Sequence, residues 1–181
     1  MKKPELELAL RAAGKIARDS EFIVFGSQSI LGTVPRPPKI CLVSLEVDLY
    51  PRHHPQAASL IAGELGRRSA FSRKHGFYVD CVTPDLAAFP DGWTERLIPF
   101  RTRRTGGVTG SCAELHDVSA SKLAAAREKD LTYVAALLKS GLAKPVILKE
   151  RIAILPITPA SRGEALNLVE QLAAKNMPRK K

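Results

Sequence analysis

The chain has 181 residues, 45% of them apolar, which allows one domain with a real core, alone or with a small helical appendage. Three widely spaced cysteines exclude a disulfide framework or a zinc site, no apolar run reaches the length of a membrane span, and Glu5 and Glu7 interrupt what would be a signal-peptide core. Those two absences, of a span and of a signal peptide, give the expectation of a cytoplasmic protein with no membrane partner, and a formal charge of +10 permits attraction to polyanions such as tRNA, DNA or nucleotides.

In chain order, Leu6, Leu10, Ala13 and Ala17 recur at three and four and predict a helix over residues 4–18. "EFIVFG" is a short strand ending in glycine. "SQSILGTV" is a short helix with serine at its start, in which Gln28 and Ser29 are read as capping or facing solvent. "PRPPK" is a loop. From Cys41 to Tyr50, apolar side chains occupy every odd position, which predicts a strand with one buried face. Glu46 and Asp48 then point off the other face, about 7 Å apart along the strand. "PQAASLIAGELG" is a helix, with Pro55 near its start and Gly66 past its end. "GFYVDCV", "ERLIPFRT" and "TGSCAEL" are strands, and Cys41, Cys81 and Cys112 are read as small buried hydrophobes within strand-like segments. From "HDVSASKLAAAREKDLTYVAALLKSG" onward the chain is helical, through "PVILKERIAIL" and "PASRGEALNLVEQLAAKN". The fold class is α/β (α+β): a small mixed sheet core over residues 1–116 and a helical C-terminal segment over 117–181, with a basic tail from about 177.

Chemistry concentrates in "FIVFGSQSI" and "SLEVDLY". Gly26 lets backbone come close to a ligand, Ser27 offers a hydroxyl, and a helix start offers N–H groups, so the turn reads as a phosphate cradle. Glu46 and Asp48 are hard oxygen donors of the kind that hold Mg²⁺ beside substrate phosphates. In "FRTRRTGG", Arg101, Arg103 and Arg104 pool beside Gly106 and Gly107, either as an exposed basic hairpin or as a phosphate-contacting loop. His53 and His54 read as exposed loop residues. His116 with Asp117 reads as a helix entry with Asp117 as the cap. Lys122 and Asp130 can share a broad face of one continuous helix, unless Lys129–Asp130 begins a new one.

A Gly-Ser turn followed by an acidic pair on the next strand resembles the minimal nucleotidyltransferase superfold, the DNA polymerase β-like fold. Through "GSQSIL", "SLEVDLYPR" and "HDVSASKLAAAREKD", residues 20–140 are similar to a bacterial group of nucleotidyltransferase-like proteins related to the AbiEii-type toxin nucleotidyltransferases. The resemblance implies Mg²⁺-dependent transfer of a nucleotide from an NTP to an RNA end or a protein hydroxyl, with a toxin–antitoxin partner as one context. In it Ser27 contacts phosphate, Glu46 and Asp48 hold metal, Lys122 pairs with the triphosphate and Asp130 is the later acidic residue. It also implies a third carboxylate as base, for which Glu114 at the end of "TGSCAEL" is the first candidate and Asp80 in "YVDCV" the second. Two departures stand out: Glu46 occupies a position that is usually Asp, and a proline-rich loop lies between Ser27 and Glu46. A reading of a different class is a non-catalytic module of this fold that binds nucleic acid or a protein partner through its basic patches.

Overall fold

The structure, a computed structural model, describes residues 1–176; the basic tail lies outside them. It is a mixed α/β protein whose five-stranded sheet has the order β3-β2-β1-β5-β4. The strands are β1 (Glu21–Phe25), β2 (Glu46–Pro51), β3 (Tyr78–Asp80), β4 (Ile98–Phe100) and β5 (Thr109–Cys112). β1 runs antiparallel to β2 and parallel to β5, β2 is parallel to β3, and β4 is antiparallel to β5.

The described residues divide into two compact units. The first comprises Met1–Pro37, Leu42–Leu86 and Leu97–Ala113 and holds the whole sheet. Helix α1 (Lys3–Ala17) buries the predicted stripe of Leu6, Leu10, Ala13 and Ala17. The stripe joins Phe22 and Val24 of β1, Val47 and Leu49 of β2, Val79 of β3, and Ile61 and Leu65 of α3 (Ala58–Leu65) in one core. Burial of such aliphatic and aromatic surface, worth roughly 25 cal/mol per Å², is what holds helices to this face of the sheet. Small residues let the layers approach. A Cβ at Gly110 would sit 2.9 Å from Leu10, and one at Gly32 of α2 (Ile30–Thr33) would sit 2.3 Å from the Cys112 sulfur. Helix α4 (Ala70–His75) is capped by Ser69, whose hydroxyl accepts from the Ser72 N–H, and closes with Gly76 in the left-handed region.

The second unit comprises Pro38–Cys41, Ala87–Arg96 and the chain from Glu114 onward. Its helices are α5 (Leu115–Ala125), α6 (Glu128–Lys139), α7 (Pro145–Ala153) and α8 (Pro159–Asn176), and α5 packs against the other three. Asp117, fully buried, is held bidentately by Arg96 at 2.9 and 3.1 Å and by Arg151 at 2.9 Å. Three basic and acidic side chains from separate segments thus fix the interior of this unit.

Several sequence expectations are corrected here. The strand predicted from Cys41 begins only at Glu46. Residues Lys39–Leu42 form a 3-10 turn, and Val43 and Leu45 are 70% and 58% exposed. Alternation reports on burial only where a neighbouring strand exists to pair with, and β3 reaches back only to Tyr78 opposite Glu46. Cys41 is therefore buried in a turn, and Cys81 lies just past β3. Gln28 and Ser29 do not face solvent; both are buried, and the Ser29 hydroxyl donates to the Gly26 carbonyl at 3.0 Å. Asp117 is not the cap of α5. Glu114 is, accepting from the N–H groups of His116 and Asp117. Of the two arrangements open for Lys122 and Asp130, the structure has the second: Ala126 takes a left-handed conformation at φ 50°, α6 starts afresh after Arg127, and the two residues lie on separate helices. No helix among the described residues is long and apolar enough to cross a membrane.

Candidate functional site

The sheet face opposite α1 carries the residues of chemical interest. Alternation along β2 buries Val47, Leu49 and Pro51 and leaves Glu46, Asp48 and Tyr50 half-buried on the other side. The parallel register sets Glu46 opposite Tyr78 and Asp48 opposite Asp80. Three carboxylates, Glu46, Asp48 and Asp80, and one phenol thus share adjacent pleats of neighbouring strands, whose backbones lie about 4.8 Å apart.

The phenol is not incidental. The Tyr78 hydroxyl donates to Glu46 Oε2 at 2.7 Å, which orients the longer of the two β2 carboxylates. That hydrogen bond, then burial and the charge of Glu46, push the phenol up to about 12. Burial, and then the negative charge of Glu46, raise Asp80 above the ordinary aspartate value. Negative charge is concentrated on this face, and a cation placed there would relieve it.

The Gly-Ser turn meets this face at the end of β1. Phe25 pairs with Asp48, and the next residue, Gly26, has φ 66° and ψ −160°, a region open essentially to glycine alone. A Cβ at Gly26 would lie 1.9 Å from Asp48 Oδ2. The Asp48 carboxylate therefore rests against the bare α-carbon of the turn, and Ser27 follows directly. The helical run after Gly26 is a 3-10 turn, Ser27–Ser29, and the four-residue α2. So short a run supplies little dipole, and the chemistry of the turn rests on Gly26 and the Ser27 hydroxyl.

The remaining sequence-predicted residues lie in the second unit. Glu114 is 21% exposed at the side chain, and both its oxygens are engaged: Oε2 accepts from the backbone of His116 and Asp117, and Oε1 sits 2.8 Å from His116 Nδ1. The other ring nitrogen of His116 accepts from the Lys144 N–H at 3.1 Å, so the imidazole bridges two helices. Burial raises the Glu114 carboxyl, but the His116 hydrogen bond and the backbone donors outweigh it and hold the group below the ordinary value. Lys122 Nζ reaches Asp130 Oδ1 at 2.6 Å across the α5–α6 corner and lies 4.9 Å from the centre of the Tyr133 ring. Arg127 Nε takes Asp130 Oδ2 at 2.6 Å. Asp130 is fully buried. Burial pushes its carboxyl up, and the Lys122 and Arg127 hydrogen bonds and charges overcome this to hold it low.

Gly26, Ser27, Glu46 and Asp48 are thus brought together in one unit, with Asp80 added by the sheet. Glu114, Lys122 and Asp130 gather in the other, as a cap and an ion pair. Tyr78, two residues before Asp80 on the same pleat face, carried no signal of its own in the sequence beyond the strand alternation. Among the described residues no group of three or more His, Cys, Asp or Glu side chains is placed to hold a metal ion by itself. Compared with family models, curated proteins and solved structures, the chain matches none.

Proposed function

We propose that the Gly26–Ser27 turn and the carboxylates Glu46, Asp48 and Asp80 form a Mg²⁺–NTP site for nucleotidyl transfer. The observation that supports this best is the register: Asp48 lies opposite Asp80 and against the α-carbon of Gly26, with Glu46 one pleat away. The donor set fits the ion, because Mg²⁺ takes one or two carboxylates and fills its octahedron with water and phosphate oxygens. Asp48 and Asp80 would hold it, with Glu46 oriented by Tyr78. When bound, the ion would neutralise charge on the triphosphate and orient it. Gly26 gives its side-chain space to the Asp48 carboxylate, which fixes that ligand at the turn, and the Ser27 hydroxyl follows directly as a donor for a phosphate.

Asp80 replaces Glu114 in this assignment. A carboxylate whose two oxygens already serve a helix cap and a histidine is poorly placed to take a proton from an acceptor hydroxyl. Lys122 and Asp130 are left out as well, because each is the other's buried partner. The reaction would be attack of an acceptor hydroxyl on the α-phosphorus, with pyrophosphate leaving. An RNA end as acceptor suits the charge of +10.

Thermal unfolding with each of the four NTPs and Mg²⁺ tests the assignment, on the wild type and on Asp48→Asn, Asp80→Asn and Glu114→Gln. A nucleotide at 100 times its Kd stabilises by about 2.7 kcal/mol. The expected outcome is a Mg²⁺-dependent shift that Asp48→Asn and Asp80→Asn abolish and Glu114→Gln keeps. No shift with any NTP would overturn it and favour the non-catalytic binding module.

A further inference from the structure

We propose that a second site, at the opposite end of the sheet, binds the phosphodiester backbone of a single-stranded nucleic acid: the cleft between Arg11 and Lys15 of α1, Arg18 just past its end, and the Gly106–Gly107 turn. The cleft holds about 350 Å³ and is completed by Gly14, Asp19, Ser20 and Val108. That is room for a phosphate and its sugar, not for a duplex.

Arg11 and Lys15 fall at i and i+4 on one face of the helix, and Arg18 follows as its left-handed C-cap, at φ 52°. All are exposed, and none makes an ion pair among the described residues. Compensation of the helix dipole would account for Lys15 in the last turn and Arg18 at the C-cap. It does not account for Arg11, nearly two turns in, where that effect has faded. Nor does it account for the cavity facing them. Gly106 and Gly107 have φ 64° and 90°, and a Cβ at Gly106 would meet the Arg11 stem at 3.2 Å. Bare backbone therefore forms the opposite wall, and the Arg101 guanidinium lies 3.8 Å from where a Gly107 Cβ would be. Gly14 allows the helix to press onto Val108 at the cleft floor, since a Cβ there would lie 2.4 Å from the valine methyl.

The acidic groups nearby are occupied elsewhere. Asp19 accepts from the backbone N–H of Glu21, His53 and His54 at 2.8–3.0 Å. Glu7 takes the Thr102 hydroxyl at 3.0 Å and lies 3.9 Å from Arg104. Positive charge dominates the cleft, in a concave setting that concentrates its field. From Ser20 to Gly26 the chain advances along β1 by six residues, about 20 Å, so this site is separate from the carboxylates. The inference does not rest on nucleotidyl transfer.

Fluorescence anisotropy with a labelled single-stranded RNA of about 12 nucleotides, across a salt series in EDTA and without NTP, tests it on the full chain. Arg11→Gln/Lys15→Gln/Arg18→Asn removes the three charges; asparagine suits the left-handed conformation of Arg18, at φ 52°. Loss of three phosphate contacts at roughly 0.7 each should lower the slope of log K against log salt by about 2 and weaken binding about tenfold or more. Ser20→Glu, which adds one carboxylate to the cleft and leaves every cation in place, should weaken binding too. Arg67→Gln/Arg68→Gln/Lys74→Gln, which removes three charges elsewhere, should not. A same-sequence DNA strand distinguishes recognition of the backbone from recognition of ribose. The proposal is overturned if RNA does not bind, if the distant triple variant weakens binding as much, or if the cleft variants lose only binding to phosphatidylserine vesicles.

Discussion

Gly26→Ala tests the geometry of the turn directly. The residue sits at φ 66° and ψ −160°, where a non-glycine residue costs of order 1–3 kcal/mol. The new methyl would also lie 1.9 Å from Asp48 Oδ2, whereas ordinary contact begins at 3.4 Å, so the carboxylate must move by about 1.5 Å (3.4 − 1.9). Displacing a half-buried carboxylate from its contacts adds roughly 1–2 kcal/mol, and the total is about 2–5 kcal/mol. The two contributions separate in a double-mutant cycle. In an Asp48→Ala background only Asp48 Cβ remains, 3.5 Å from the new methyl, so Gly26→Ala should cost the backbone strain alone. Urea unfolding of wild type, both single variants and the double variant gives the coupling, expected at about 1–2 kcal/mol. A coupling within about 0.3 kcal/mol of zero, the scatter of independent sites, would refute the placement of Asp48 on the turn.

Four further outcomes follow from the charges and thiols. Asp130→Ala leaves Lys122 buried without its anion and should destabilise by about 3–5 kcal/mol in denaturant titration. Because the native carboxyl is held below its ordinary value, its contribution is present above the unfolded value near 4. It is lost as pH falls through the lower native value, so the wild type should lose more stability than Asp130→Asn on acidification below about pH 4. Tyr78 ionises up near 12, so its stabilisation is complete below the unfolded value near 10 and is lost as pH rises toward 12; Glu46→Gln should bring its ultraviolet titration down toward 10. Burial pushes the thiols of Cys41 and Cys81 up to about 11 and that of Cys112 to about 12. At pH 8 a disulfide reagent should label the native protein slowly, and all three cysteines at once after denaturation.

The sequence by itself determined the elements whose signal is local. Period-3.6 apolar spacing gave α1, and it survives intact because one face of that helix meets one face of the sheet. Of the alternation read from Cys41 to Tyr50, the part from Glu46 onward placed Glu46 and Asp48 on a common face, since a pleat allows nothing else once the other face is buried. The Gly-Ser turn was legible because the conformation of Gly26 admits no side chain. Other features depended on partners far along the chain. Where β2 begins is decided by β3: Leu45 gives only its carbonyl to the Tyr78 N–H, and Val43, though apolar and in phase, lies before the paired residues. Left-handed Ala126, with no glycine or proline to announce it, decided between one helix and two and brought Lys122 onto Asp130 across the corner. The capping role passed from Asp117 to Glu114 because Arg96 and Arg151, 21 residues before and 34 after (117 − 96 and 151 − 117), take the aspartate into the interior. Asp80 reached Asp48 only through parallel pairing, and Arg11, Lys15 and Arg18 face Gly106–Gly107 only because that turn packs beside α1. Local pattern fixes which way a side chain points; what it points at is set by pairings whose registers are written in no single segment.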